Sequence, residues 1–194
     1  MAVATQPAVE SDQPAEPATQ PTSWVWNEAS LPAGFPPPGK VGEVLIKHYP
    51  AYRAARTKAS DVGGENRMFG TLFNHIKKNN IPMTAPVELT YAPDGKGYQQ
   101  ADMLFMYESL NKPRGTTQPG VEVLDIPPAT VVSVGVRGGY SKGNFEGSLT
   151  KLEAYLSAHP EWQRAGPPRM LGYNSPFIPW FLRYSEVQIP VVPQ

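Results

Sequence analysis

Cysteine is absent from the chain. Disulfides, thiolate nucleophiles, Cys-ligated zinc, iron–sulfur clusters and covalently attached c-type heme are therefore excluded, although the compartment stays open. Neither sign of charge is in excess: Lys and Arg number 17, Asp and Glu also 17, and the pI is near 6.8. With no basic field to hold a phosphate backbone, nucleic acid is not an expected partner. No apolar run reaches the length of a transmembrane segment, and the N-terminus lacks the charged start and apolar stretch of a signal peptide. The expectation is a soluble protein, either cytoplasmic or exported with its signal sequence absent. Histidine is scarce, with only His48, His75 and His159. They fall on three different segments without H-E-x-x-H or H-x-H spacing, which argues against a zinc site. No serine stands in G-x-S-x-G and no glycine-rich loop leads a strand into a helix, so no catalytic nucleophile is visible and a non-enzymatic role is expected.

What is present is enough apolar residue, 40% of 194, to bury one domain. Residues 1–38, rich in Pro and Ala, read as a disordered tail or linker, with Trp24 and Trp26 expected to dock on the body. Residues 39–194 read as a single domain. From Val41 onward Val44, Ile46 and His48 alternate with Leu45, Lys47 and Tyr49, and after Pro50 a second extended run follows from Tyr52 to Thr57. Two strands with a tight join are expected. Phe69, Leu72, Phe73 and Ile76 then recur at helical spacing within Glu65 to Asn79, with Met68 beside them and Arg67 outside the stripe.

The stretch Ile81-Pro82-Met83-Thr84-Ala85-Pro86-Val87 cannot be helical, because each proline lacks an N–H and pushes its predecessor toward extended geometry. It reads as the entry to a strand through Tyr91, followed by a strand through Met103, Phe105 and Tyr107. The order then recurs at a period of about eighty residues. Glu122-Val123-Leu124 echoes Glu43-Val44-Leu45, Thr130 to Val136 echoes Tyr52 to Thr57, and Phe145, Leu149 and Leu152 echo Phe69, Phe73 and Ile76. The fold class expected is α+β, with duplicated β-β-α-β-β halves forming a distorted antiparallel barrel or twisted sheet flanked by two helices.

The run IPMTAPV after a helix of the form Phe69-x-x-Leu72-Phe73-x-x-Ile76 resembles the signature of the SOUL/heme-binding protein family. Lys47 to Tyr52 is similar to the family's opening strand, Val131 to Gly139 to its second-half strand and turn, and Arg183 to Val187 to its closing strand. The resemblance implies a non-covalent heme or other tetrapyrrole cofactor in a hydrophobic groove, for binding, buffering or transport, with no single obligatory histidine. The residues that would form such a groove are Arg67, Met68, Phe69, Leu72, Phe73 and Ile76 on the helix, with Phe177, Ile178 and Trp180 in an apolar loop. Where better-known members place a lysine near the ligand's carboxylates, this chain has Ile178, so the carboxylates would need Arg67, Arg183 or another base, or would stay in water.

His75, at the margin of the apolar stripe, is the best-placed axial ligand for a heme iron, with a solvent-exposed histidine as the alternative. A second reading takes Glu108 and Glu186 as repeat-related strand carboxylates that approach the pseudo-two-fold axis. There they would serve as an acid/base pair or a cation site, for binding or hydrolysis of a lipophilic or cationic small molecule between the halves, as in gyrase-inhibitor-like multidrug-binding domains. Glutamates that face solvent or pair with Arg183 and Lys47 are the third possibility.

Overall fold

The computed structural model describes residues 29–175 and 177–194. The expected tail therefore lies outside the described residues up to 28, Trp24 and Trp26 included. The two opening strands, β1 (Val44–Tyr49) and β2 (Tyr52–Lys58), form as their alternation requires, but they part at Pro50 instead of pairing as a hairpin. A four-residue helix α1 (Ala59–Val62) and the longer α2 (Glu65–Lys78) follow, then β3 (Val87–Pro93) and β4 (Tyr98–Met106). The second half holds β5 (Glu122–Ile126), β6 (Ala129–Arg137), α3 (Lys142–Ala158), β7 (Trp162–Arg164), β8 (Arg169–Gly172) and β9 (Tyr184–Pro193).

Every named strand pair is antiparallel, in the order β1-β6-β9-β8-β3-β4-β2-β5, with β7 continuing the β8 side of β9. The order is a palindrome when β1 is exchanged for β5, β2 for β6, β3 for β8 and β4 for β9. Two β-β-α-β-β halves therefore meet where β3 pairs β8, with Val87 opposite Gly172. The sheet is strongly curled, as the expected barrel-like α+β class requires, but it does not close into a barrel: β1 and β5 are its two edges.

Period-2 alternation assigns each strand's residues to one of two cores. Leu89, Met103, Phe105, Val132, Met170, Val187 and Ile189 face the helices, where Met68, Leu72 and Ile76 of α2 and Phe145, Leu149 and Leu152 of α3 cover them. Those helical triplets repeat at three or four residues, the spacing that keeps side chains on one face. Ser141 caps α3, its hydroxyl accepting from the Asn144 N–H at 3.2 Å.

The opposite face carries Tyr49, Tyr52, Ala54, Leu104, Met106, Val131, Leu171, Tyr173 and Tyr184. It is covered by the chain's own segment 30–40. Phe35 sits edge-on to the rings of Tyr49 and Tyr52, centroids 5.0 and 5.1 Å away. The Ala33 N–H donates to Glu108 O, and the Gly42 N–H to Gly135 O. A side chain at Gly135 would strike the Lys40 carbonyl at 2.5 Å, so glycine permits this close approach. The packed structure thus begins before the expected boundary at 38, because Leu31 and Phe35 supply apolar area that this face of the sheet needs.

Candidate functional site

A cavity of about 540 Å³ opens on the helix-bearing face where the halves meet. Its floor is Val87, Leu89 and Met103. Phe69 from α2 forms one wall and Met83, Thr84 and Ala85 of the proline-bounded stretch another, with Tyr140 from the turn before α3 opposite. Two prolines hold the Met83–Ala85 segment extended, which exposes its small and apolar side chains to the cavity instead of winding them into a helix.

Tyr140 pins the second-half side. Its hydroxyl donates to Asn174 O and accepts from the Asn174 N–H, both at 2.8 Å, and its ring lies over Gly172, where any Cβ would meet it at 3.0 Å. Asn174 Oδ1 accepts from the Tyr184 N–H at 2.8 Å, closing the base of the loop that leads to β9.

The cavity's charged rim is Glu65 and Arg183. Burial pushes the Glu65 carboxyl up, and the neighbouring Arg183 opposes that rise. The Arg183 Nε donates to Ile178 O at 2.8 Å and its guanidinium stands 5.8 Å over the Tyr140 ring. The site can therefore receive a lipophilic body and meet an acidic substituent at one edge. No histidine lines it; Met83, Met103, Tyr140 and Tyr173 are the lining side chains of a type that can ligate heme iron.

Of the residues expected to form a groove, Phe69 lines this cavity, packed edge-on to Phe105 at 5.1 Å and stacked with Phe73 at 6.1 Å. Met68, Leu72 and Ile76 face the sheet and are core. Arg67 and Phe73 are exposed, Ile178 is half-buried, and Phe177 and Trp180 project into solvent beside the cavity mouth.

His75 is fully buried, which differs from the solvent-exposed position given as the alternative, and it does not line the cavity. Tyr107 donates its hydroxyl to Arg114 O at 2.8 Å, so the imidazole Nε2–H is assigned as donor to the Tyr107 oxygen at 3.0 Å. Nδ1 then faces the Asn79 amide at 3.4 Å as acceptor. Burial, and after it Lys78, holds the imidazole below its usual pKa.

Glu108 and Glu186 are not brought together. Glu108 lies beyond the end of β4, exposed, paired with Lys112 at 2.8 Å. Glu186 is buried under segment 30–40, where it pairs with Lys47 and accepts from the Gly39 N–H at 2.7 Å, Tyr184 at 3.1 Å and Tyr173 at 3.2 Å. The second buried carboxylate is Glu88, held by Arg169 at 3.1 Å and the Tyr52 hydroxyl at 3.0 Å. Burial first, and Glu186 next, pushes the Tyr173 and Tyr184 phenols up, so they remain proton donors. The chain's own cations occupy both carboxylates.

Among the described residues no group of three or more His, Asp or Glu stands close enough to hold a metal ion, and no helix is long and apolar enough to cross a membrane. Glu65, Met83, Tyr140 and Asn174 line the site without having been expected there from the sequence. The recurrence of both helix starts, at Glu65 and Ser141, was the signal available, since the two-fold brings those ends together.

A family model described as SOUL heme-binding protein matches residues 40–190. No curated protein matches the sequence. Among solved structures, the EcmrR C-terminal domain is similar with a TM-score of 0.62 at 15% identity, over 79% of this chain and 99% of that one. A hydrolase from Listeria innocua is similar with a TM-score of 0.57 at 10% identity, over 79% and 94%. At such identities the likeness is one of fold.

Proposed function

The chain belongs to the SOUL heme-binding protein family, and from that premise we propose that it binds heme or a related tetrapyrrole non-covalently in the cavity between Phe69 and Tyr140, in a binding, buffering or transport role without catalysis. The observation that carries this reading is the cavity itself. Its volume of about 540 Å³ falls in the range typical of small-molecule sites, and its lining combines apolar side chains, Phe69, Met83, Val87, Leu89 and Met103, with polar ones that include Glu65, Asn66, Thr84, Asn174 and Arg183. A flat macrocycle would lie against Phe69 and Val87, with Arg183 meeting a carboxylate substituent. That assigns to Arg183 the task a lysine serves where this chain has Ile178. Bound heme would supply its iron, but the affinity proposed here comes from the ring's apolar area, so metal-free porphyrin should bind as well.

Absorbance titrations with ferric heme and metal-free protoporphyrin test the proposal on the wild type, Phe69→Ala and His75→Ala. Phe69→Ala should weaken both ligands about five- to a hundredfold, from on the order of 1–3 kcal/mol of lost apolar contact. His75→Ala should stay within a few fold for both. The reading fails if the wild type binds neither, and contact-driven affinity fails if His75→Ala loses heme while keeping the metal-free ring.

A further inference from the structure

We propose that the loop 177–183 is a membrane-docking element whose aromatic tip inserts into the interface of an anionic bilayer. Phe177 is 94% exposed, Trp180 68%, Phe181 55% and Leu182 51%, so four large apolar side chains within six residues are left in water. Scattered apolar residues on a surface need no explanation, but a contiguous group of this kind marks a contact site.

The loop is braced. The N–H groups of Ile178, Leu182 and Arg183 donate to Ser175 O, Pro179 O and Trp180 O, and Pro179 has none to satisfy. The carbonyls of Ile178 and Leu182 accept from Arg183 Nε at 2.8 Å and Arg137 Nη1 at 2.6 Å. These bonds give the peptide groups at the loop's base protein partners, which lowers the cost of bringing that part of the loop to the membrane interface.

Charge selects the kind of surface. No Asp or Glu occurs between Glu161 and Glu186 in the sequence, and the cations Arg137 and Arg183 stand fixed at the loop's base, Arg183 with Glu65 beside it at the cavity rim. Insertion of the rings would bring those guanidiniums to headgroup depth, where anionic lipid attracts them. Tryptophan has the same interfacial preference. The loop's two ends, Ser175 and Arg183, also line the cavity, so a docked molecule would turn the cavity mouth toward the membrane and take a lipophilic ligand directly from it. That last step rests on the tetrapyrrole reading; docking does not.

Co-sedimentation of the full chain with vesicles of equal parts phosphatidylcholine and phosphatidylglycerol, without porphyrin, tests it. The wild type should pellet, and the double variant Phe177→Ser, Trp180→Ser should bind roughly tenfold less or weaker with an unchanged Tm. Brominated lipid should quench wild-type tryptophan emission more than that of Trp180→Phe, which itself still pellets. Failure of the wild type to pellet overturns docking, even with porphyrin binding intact, and so does equal pelleting of the double variant. Concentration-dependent dimerisation that the double variant abolishes, without vesicle binding, assigns the tip to a second copy and also overturns it.

Discussion

Lys47 and Glu186 show how a single side chain can be required without being reactive. Lys47 is buried in β1 and also donates to Pro37 O at 2.8 Å, so it links the sheet to segment 30–40. Lys47→Met removes the cation and leaves Glu186 buried beside neutral partners, which should cost about 3–5 kcal/mol. Lys47→Met combined with Glu186→Gln removes the uncompensated charge while keeping an acceptor for Gly39, Tyr173 and Tyr184, and should recover much of the loss. Urea denaturation of the three proteins measures this, and a double variant no better than Lys47→Met would contradict the account. His75 gives a pH dependence of known sign. Its folded-state pKa is lowered, by burial first, so above the ordinary histidine value both states are neutral and the folded state loses nothing. As pH falls below about 6.5 the unfolded state takes up a proton that the folded imidazole resists, and stability declines. His75→Gln should therefore lose less Tm than the wild type between pH 8 and pH 5.5, whatever its Tm at pH 8. Neither role could be read in the sequence, because the partners that define it are distant: Tyr107 for His75, and Glu186 with the covering glycine for Lys47. Position in a strand limits which face a lysine takes, but not whether a carboxylate waits there.

The helix α2 separates stability from binding along one element. Its stripe was legible as Phe69, Leu72, Phe73 and Ile76, and the helix occupies Glu65–Lys78 as that spacing requires. Periodicity alone does not say which edge of a wide stripe meets the sheet. Burial rotates the stripe so that Met68, Leu72 and Ile76 face β4 and β2 while Phe69 is turned toward the cavity and Phe73 toward solvent. Met68→Ala should then lower stability by about 2–5 kcal/mol, as for a buried large-to-small change, and leave porphyrin affinity of the folded fraction within a few fold. Phe69→Ala should do the reverse. Thermal melts read beside titrations on the same preparations decide it, and parallel losses in both measurements would mean that the two faces are coupled. The segment 30–40 was less legible, because Pro36-Pro37-Pro38-Gly39 reads as linker by composition. Those prolines hold an extended path over the sheet, and Leu31 and Phe35 pack into the apolar cover on its far side.

The duplication was visible as an order of features, but the way the halves join was not. Sequential strands usually pair, and the short connection at Pro50 invites a hairpin. The structure instead exchanges the first strand of each half: β1 pairs β6 of the second half, and β5 pairs β2 of the first. Long-range pairing of this kind leaves no local trace, since β1 and β6 have the same alternation whichever partner they take. It has a consequence for folding. A fragment of residues 29–115 would keep β2, β3 and β4 but lose β5 from one edge and β8 from the other, and its β1 would have no strand to pair with. The fragment 116–194 would be left with β5 unpaired, and with β6 and β8 stripped of β1 and β3. Each would expose apolar faces that the other half buries, Val87 and Leu89 against Gly172 and Met170 among them. Neither fragment should therefore show a cooperative melt by circular dichroism when expressed alone. Mixed in equal amounts after denaturation, the two should reassemble with strand content and a single transition close to those of the intact chain, because every pairing is available between them. A fragment that melts cooperatively by itself would show that its half is an independent unit and that the exchanged strands are an addition to its stability and not a condition of its folding.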